Sequence, residues 1–281
     1  MSGYDRSLED VGNVLNLEHV NLTVPDQGLA ALFYVTGLGF TRDPYIDFGT
    51  LNMWVNLGEQ QFHLPKAAAQ KFRGHIGVVV PDRADLGRRL TFAAKGLRHT
   101  EFRWAEKDDH TVVICPWGNE IRAYEPNSFP NMDLGMPYIE MLVPPDSTPG
   151  IARFYMHVLG SPASAGDGQA RVRVGYNQEL IFTESEAPIP AYDGHHIAVY
   201  LANFSGPHDI LEERGLITEE TDRFQYRFQA IIDPDTGETL TELEHEVRSM
   251  SHPMFHRPLV NRNPAVNFIT YRKGKEVFTP T

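Results

Sequence analysis

Four polar residues stand at the mouths of four strand-like runs, and their types suit a divalent cation. His19 opens the run His-Val-Asn-Leu-Thr-Val-Pro-Asp, and His75 opens His-Ile-Gly-Val-Val-Val-Pro-Asp. Glu140 begins a third copy, Glu-Met-Leu-Val-Pro-Pro-Asp, and His196 a fourth, His-Ile-Ala-Val-Tyr-Leu. Imidazoles and carboxylates are the donors that bind Zn, Fe(II), Mn, Ni or Mg. A cation held from one side keeps positions open for two adjacent substrate oxygens and can polarise a carbonyl or stabilise an enolate. Four such residues in register therefore suggest a metal cradle built from repeats.

Strands must carry these residues, because aliphatic and β-branched side chains fill each run and Pro-Asp closes the first three. In the first repeat the strand covers 17–24, and Leu29, Leu32, Phe33 and Leu38 make a helical stripe over 28–38. Strand-like runs at 41–45, 51–57 and 60–64 complete a β-α-β-β-β unit. The second unit starts at Gly74, with a helix over 84–95, Gly96 as its C-cap, and strands at 100–104, 111–115 and 120–125. A proline-rich linker over 126–137 precedes the restart. Phe33-Tyr34 recurs as Phe154-Tyr155, Val55–Gln61 as Val172–Gln178, and Pro116-Trp-Gly118 as Pro234-Asp-Thr-Gly237. A helix over 208–214 capped by Gly215 belongs to the fourth unit. This register puts Glu140 where His19 stands and His196 where His75 stands.

Composition bounds the function. The 281 residues suggest two domains, and a hydrophobic content of 41% supports real cores. A net charge of −12 argues against nucleic acid and an anionic membrane as partners. No run is long enough to cross a bilayer, no signal-peptide pattern is visible, and Cys115 is the single cysteine. A cytoplasmic protein with a small-molecule substrate is expected, with a homo-oligomer allowed.

The ordered motifs resemble the vicinal oxygen chelate superfamily, which includes glyoxalase I, bleomycin-resistance proteins and extradiol dioxygenases. The residues that carry the resemblance are Leu17–Asp26, Phe33–Phe40, Gly74–Asp82, Pro116–Asn119 and Asp233–Gly237. The resemblance implies an α+β fold of four βαβββ modules, paired into two domains, each a curled mixed sheet around a cavity. Read in chain order, residues 1–127 form an N-terminal domain, 134–250 a C-terminal domain and 251–281 a tail.

The resemblance also implies metal ligands on the first strand of one module, the first strand of its partner and the last strand of that partner. In the C-terminal half these are Glu140, His196 and a carboxylate after Gly237, for which Glu244 is favoured over Glu242 as the middle of an alternating set. The N-terminal half offers His19, His75 and His63. Its carboxylate position holds Arg122, which cannot ligate a cation, so no tightly held metal of the family type is expected there; Glu125 as a substitute carboxylate, or a site of the three histidines alone, is the alternative. Tyr200 shares the face of His196 and is the candidate catalytic hydroxyl. His195 points to the opposite face and has a structural role. In the tail, Arg257 or Arg262 could clamp an anion over the cavity mouth; the plainer reading is a tail packed on the surface.

The resulting expectation is an enzyme using one divalent metal ion (Fe, Mn, Ni, Zn or Mg), a lyase or isomerase of glyoxalase type. An extradiol ring-cleaving dioxygenase using Fe(II) is the first alternative. Glu140 in place of a histidine, and Ala230 where that group often keeps a tyrosine, count against it. A metal-free protein that sequesters a flat ligand is the second alternative.

Overall fold

A computed structural model gives the fold and describes residues 5–257 together with Leu259 and Thr270. The first module comprises β1 (Val14–Asn21), α1 (Gln27–Ala30) running on as a π-wound segment (Ala31–Gly37), β2 (Thr41–Asp47), β3 (Asn52–Leu57) and β4 (Gln60–Pro65). The second comprises β5 (Gly74–Val79), α2 (Arg83–Leu97), β6 (Arg103–Glu106), β7 (Thr111–Ile114) and β8 (Glu120–Tyr124). The third comprises β9 (Gly135–Val143), α3 (Thr148–Phe154) with a π-wound continuation (Tyr155–Leu159), β10 (Ala163–Gly166), β11 (Gln169–Arg173) and β12 (Glu179–Glu184). The fourth comprises β13 (His196–Leu201), α4 (Ser205–Glu213), β14 (Ile217–Asp222), β15 (Gln225–Ile232) and β16 (Thr239–Ser249).

The Pro-Asp that closes a strand also starts the next helix. Asp26 accepts from the backbone N–H of Leu29 and Asp82 from that of Asp85, each at 2.9 Å. These are N-cap bonds, which satisfy helix donors that have no partner within the helix. On α2 the buried residues Leu86, Leu90, Ala93 and Leu97 form the expected stripe. Gly96 does not cap this helix, which continues through Leu97. A Cβ at Gly96 would lie 2.4 Å from the Leu32 side chain, so the glycine lets α2 approach the π-wound segment closely. Gly215 does follow α4 with φ +67°, the left-handed geometry of a helix end.

The modules form two eight-stranded mixed sheets, in the orders β14-β15-β16-β13-β1-β4-β3-β2 and β10-β11-β12-β9-β5-β8-β7-β6. The pairing corrects the sequential division at residues 127 and 134. Module one joins module four through β1 and β13, and module two joins module three through β5 and β9, both antiparallel. Every module leaves the edge of its first strand open, and an open edge must find a strand. The repeats are too alike in sequence to show which copy fills which edge. Two buried glutamines tie the sheets together. Gln178 donates to the carbonyls of Leu17 (3.0 Å) and Met136 (3.2 Å) and accepts from the Leu17 N–H, while Gln60 accepts from the Met136 N–H.

Strand alternation divides each sheet into two faces. On β13, Ile197, Val199 and Leu201 join the hydrophobic core with Phe154, Tyr155 and Leu211. Its other face carries His196, Ala198 and Tyr200. That inner face is lined with polar side chains although buried, which is costly unless they are paired or bind something. Among the described residues no helix is long and apolar enough to cross a membrane.

Candidate metal centre

The centre lies on the inner face of the first sheet, over strands β1, β13 and β16. Ala198 stands opposite His19 on one side and opposite Glu246 on the other. Its single methyl leaves the space into which both larger side chains lean. His196, two residues before Ala198, supplies a third group. Ligand atoms of His19, His196 and Glu246 all lie within 4.8 Å of one another, and all three residues are buried. Among the described residues this is the one histidine, cysteine and carboxylate group so close.

Each histidine has a carboxylate behind it. Glu18 accepts from His19 Nδ1 at 2.8 Å, aided by a register shift in β1 between Leu17 and His19. A carboxylate can only accept, so the proton sits on Nδ1. His19 Nε2 then presents a lone pair into the cluster, buried and without a partner. For His196, Nδ1 lies 3.4 Å from Glu244 and Nε2 3.8 Å from Glu246. Carboxylate behind imidazole is the arrangement that orients metal-ligating histidines.

The protonation states also suit a cation. Burial, reinforced by His19, pushes His196 down to about 3, so its ring is neutral near pH 7. Burial opposes ionisation of Glu18, but Arg248 and the His19 hydrogen bond outweigh it and bring the carboxyl to about 2. Glu246 likewise overcomes its burial through Arg248 and the nearby imidazoles and falls well below the usual carboxylate range. Arg227 bridges Glu244 (2.9 Å) and Glu246 (2.5 Å), and Arg248 bridges Glu246 and Glu18 (both 2.5 Å). Three carboxyl groups thus face two guanidiniums, although burial pushes that of Glu244 upward. The neutral His196 imidazole, the ionised Glu246 carboxylate and the orphaned His19 nitrogen together fit a divalent metal.

A ring stack walls the site, with His63 between His19 (centroids 3.6 Å apart) and Trp54 (3.5 Å). A cavity of about 120 Å³ adjoins it, lined by Glu18, Gln61, Tyr200, Met254 and Arg257.

In sequence, no protein-family profile matches the chain, and no curated protein matches it. Solved structures do. A candidate dioxygenase from Bacillus subtilis subsp. subtilis str. 168 superposes with a TM-score of 0.56 at 14% identity, covering 85% of this chain and 86% of that one. Glyoxalase I from Zea mays gives 0.57 at 13% identity, over 83% and 92%. The chain has the vicinal oxygen chelate fold. With module one paired to module four, the first strands of the two modules and the last strand of the fourth lie side by side and carry His19, His196 and Glu246.

The remaining expected residues separate accordingly. Glu140 lies on β9 of the second sheet, opposite His75, and accepts from Thr183 at 2.9 Å. It does not join His196, because β9 and β13 belong to different sheets. Glu244 stands behind His196 with Arg227, and Glu242 is bonded to Gln229. The carboxylate in the cluster is Glu246, one alternation further on. Tyr200 is buried and donates to Glu18 at 3.0 Å; burial and Glu18 hold its phenol far above the ordinary value. Arg257 does not present a free clamp: it is buried in an ion pair with Asp43. Arg262 lies outside the described residues. His195 is buried against Phe72 and held by Asp193, with its ring away from the cluster. Glu18, Arg227 and Arg248 escaped the sequence reading. Their signal was adjacency: Glu18 precedes His19, and Arg248 follows Glu246 by two residues on the same face.

Proposed function

We propose that the chain is a divalent-metal-dependent enzyme of glyoxalase type, a lyase or isomerase acting on a small substrate that chelates through two neighbouring oxygens. The observation that carries this reading is the convergence of His19, His196 and Glu246 with His19 Nε2 unpartnered. The metal would supply Lewis acidity to a substrate carbonyl or enolate. The chain's own groups surround that event. Glu18 fixes the His19 ring, and Tyr200 and Arg248 fix Glu18. Arg227 and Arg248 keep positive charge beside the site, where negative charge on a substrate oxygen would be stabilised. The His19–His63–Trp54 ring stack walls one side, and Phe255 packs on Tyr200.

A second reading is a ring-cleaving dioxygenase using Fe(II). Two histidines and one carboxylate are the donor set of many non-haem iron oxygenases, and the His19, His196 and Glu246 group supports this reading with the same donor types. The test begins with metal analysis of protein purified without added metal, beside His196→Ala, Glu246→Gln and Glu140→Ala. Stoichiometric metal lost in the first two variants and kept in the third supports the centre. Metal retained in full by His196→Ala refutes it. Solvent deuterium entering a carbonyl substrate beside the chelated oxygens, without oxygen uptake, supports the isomerase or lyase. Oxygen consumption with catechols supports the dioxygenase.

A further inference from the structure

The second sheet repeats the geometry of the metal centre with different residues. In the first sheet, Ala198 stands opposite His19 and Glu246, and His196 lies two residues before it. In the second, Gly77 stands opposite Tyr138 and Arg122, and His75 lies two residues before it. The register therefore equates Tyr138 with His19, His75 with His196 and Arg122 with Glu246. A fixed guanidinium occupies the station of the metal-ligating carboxylate. The absent side chain of Gly77 is what admits Tyr138: a Cβ there would lie 2.3 Å from its ring.

This face opens on the largest cavity described, about 670 Å³, a size that suits a small organic molecule. Tyr124, Tyr138 and Phe129 give it an aromatic side, with Phe129 5.1 Å from Tyr124 and 6.0 Å from Tyr138 between centroids. Arg122 enters it tethered only through Nε, which donates to Glu120 at 2.8 Å. Its two terminal nitrogens have no hydrogen-bond partner among the described residues. Tyr124, Tyr138 and Glu140 belong to the cavity lining, and His75 lies behind Tyr138. Tyr124 and Tyr138 share a hydroxyl contact of 2.8 Å, Tyr138 reaches His75 Nε2 at 3.2 Å, and that nitrogen lies 3.5 Å from Glu140.

We propose that this second cavity is a metal-free binding site for a flat small acid, whose carboxylate is taken by Arg122 and whose hydroxyl is read by the Tyr138–His75–Glu140 line. A guanidinium fork matches a carboxylate in two parallel hydrogen bonds. The aromatic side receives the flat body by offset or edge-to-face contact. Glu140 accepts from a donor at the far end and disfavours a second anionic group there. Arg171 and Arg173 also line this cavity, bonded to Glu179 and to the Asp10 carbonyl; the chain then has two chemically distinct cavities, one organised by a cation-binding cluster and one by arginine.

The probe is 4-hydroxybenzoate, with benzoate and 4-methylphenol as single-ended controls, titrated calorimetrically against the full chain in the presence of a metal chelator. Saturable binding is expected, weaker for both controls. Arg122→Gln should lower affinity for 4-hydroxybenzoate at least about tenfold, the scale of a lost charge-assisted pair. It should leave 4-methylphenol unaffected. His196→Ala, in the other sheet, should bind the probe as the parent does. If Arg122→Gln fails to fold by circular dichroism, Arg122→Lys serves, since it keeps the charge and loses the fork. Absence of probe binding by the parent chain overturns the proposal. So does undiminished binding by the Arg122 variant, or a stoichiometric divalent ion held through His75 in the parent.

Discussion

Glu18 holds the His19 ring by Nδ1 at 2.8 Å, and the same carboxylate carries Arg248 and Tyr200. The imidazole is thereby aimed before any metal arrives. Glu18→Gln should lower divalent-metal affinity about 10–100-fold, the usual cost of losing such an outer partner. Tyr200→Phe should have a much smaller effect, because Arg248 still holds Glu18. Chelator competition with both variants measures the difference; equal losses would mean that Glu18 does not act through the His19 tautomer.

Ala198 is the spacer that lets His19 and Glu246 approach. Ala198→Leu should abolish metal binding although every ligand remains. Overpacking costs about 1–3 kcal/mol, so the variant should melt lower yet stay folded. Metal content and thermal unfolding, measured together, check this. A variant that folds and still binds metal in full would place the ion away from Ala198.

The Asp43–Arg257 pair fastens the tail to β2. Asp43 also accepts from the N–H groups of Tyr45 and Ile46 and from Gln61. Arg257→Ala leaves a buried carboxylate without its counter-ion, which typically costs about 3–5 kcal/mol. Asp43→Asn in the same chain should recover much of that loss. Denaturant unfolding of the single and double variants gives the coupling.

Acid should weaken the fold below the ordinary histidine range. Burial brings both His245 and His252 down to about 4. Between the unfolded value near 6.5 and the folded value, the unfolded chain binds the extra proton, so stability falls as pH drops through that window. Each group contributes at most about 1.4 kcal/mol per pH unit, and His252, partly exposed, less. His245→Gln should flatten the pH dependence of unfolding between about 6.5 and 4. An unchanged slope would show that His245 titrates alike in both states.

The four modules and the polar strand mouths were legible because each local rule agreed with the next: β-branched runs, Pro-Asp caps, and the Phe-Tyr pair repeated in two helices. The site was half legible. His196 could be found from its place at a strand mouth. His19 was seen, but assigned to the wrong partner, because sequential and nested pairings leave the same repeat in the sequence. Register along a strand was the second obscurity. Glu242, Glu244 and Glu246 share one face by alternation, and nothing local says which of them faces Ala198. Tyr138, rather than Glu140, proved to be the counterpart of His19, a two-residue slip that strand pairing alone resolves.

The nested pairing also orders events during synthesis. The second sheet is complete once Glu184 has left the ribosome, since β5 and β9 are joined by one linker and β12 ends there. β1 must wait for Leu201, its partner at Val14, while the chain grows at about 5–20 residues per second. During that interval the first module has an exposed strand edge, a template for pairing with another chain. Closing so long a loop is also entropically unfavourable and slow. The inner sheet should therefore mature first, and a ribosome stalled before β13 should hold a folded middle beside an aggregation-prone beginning.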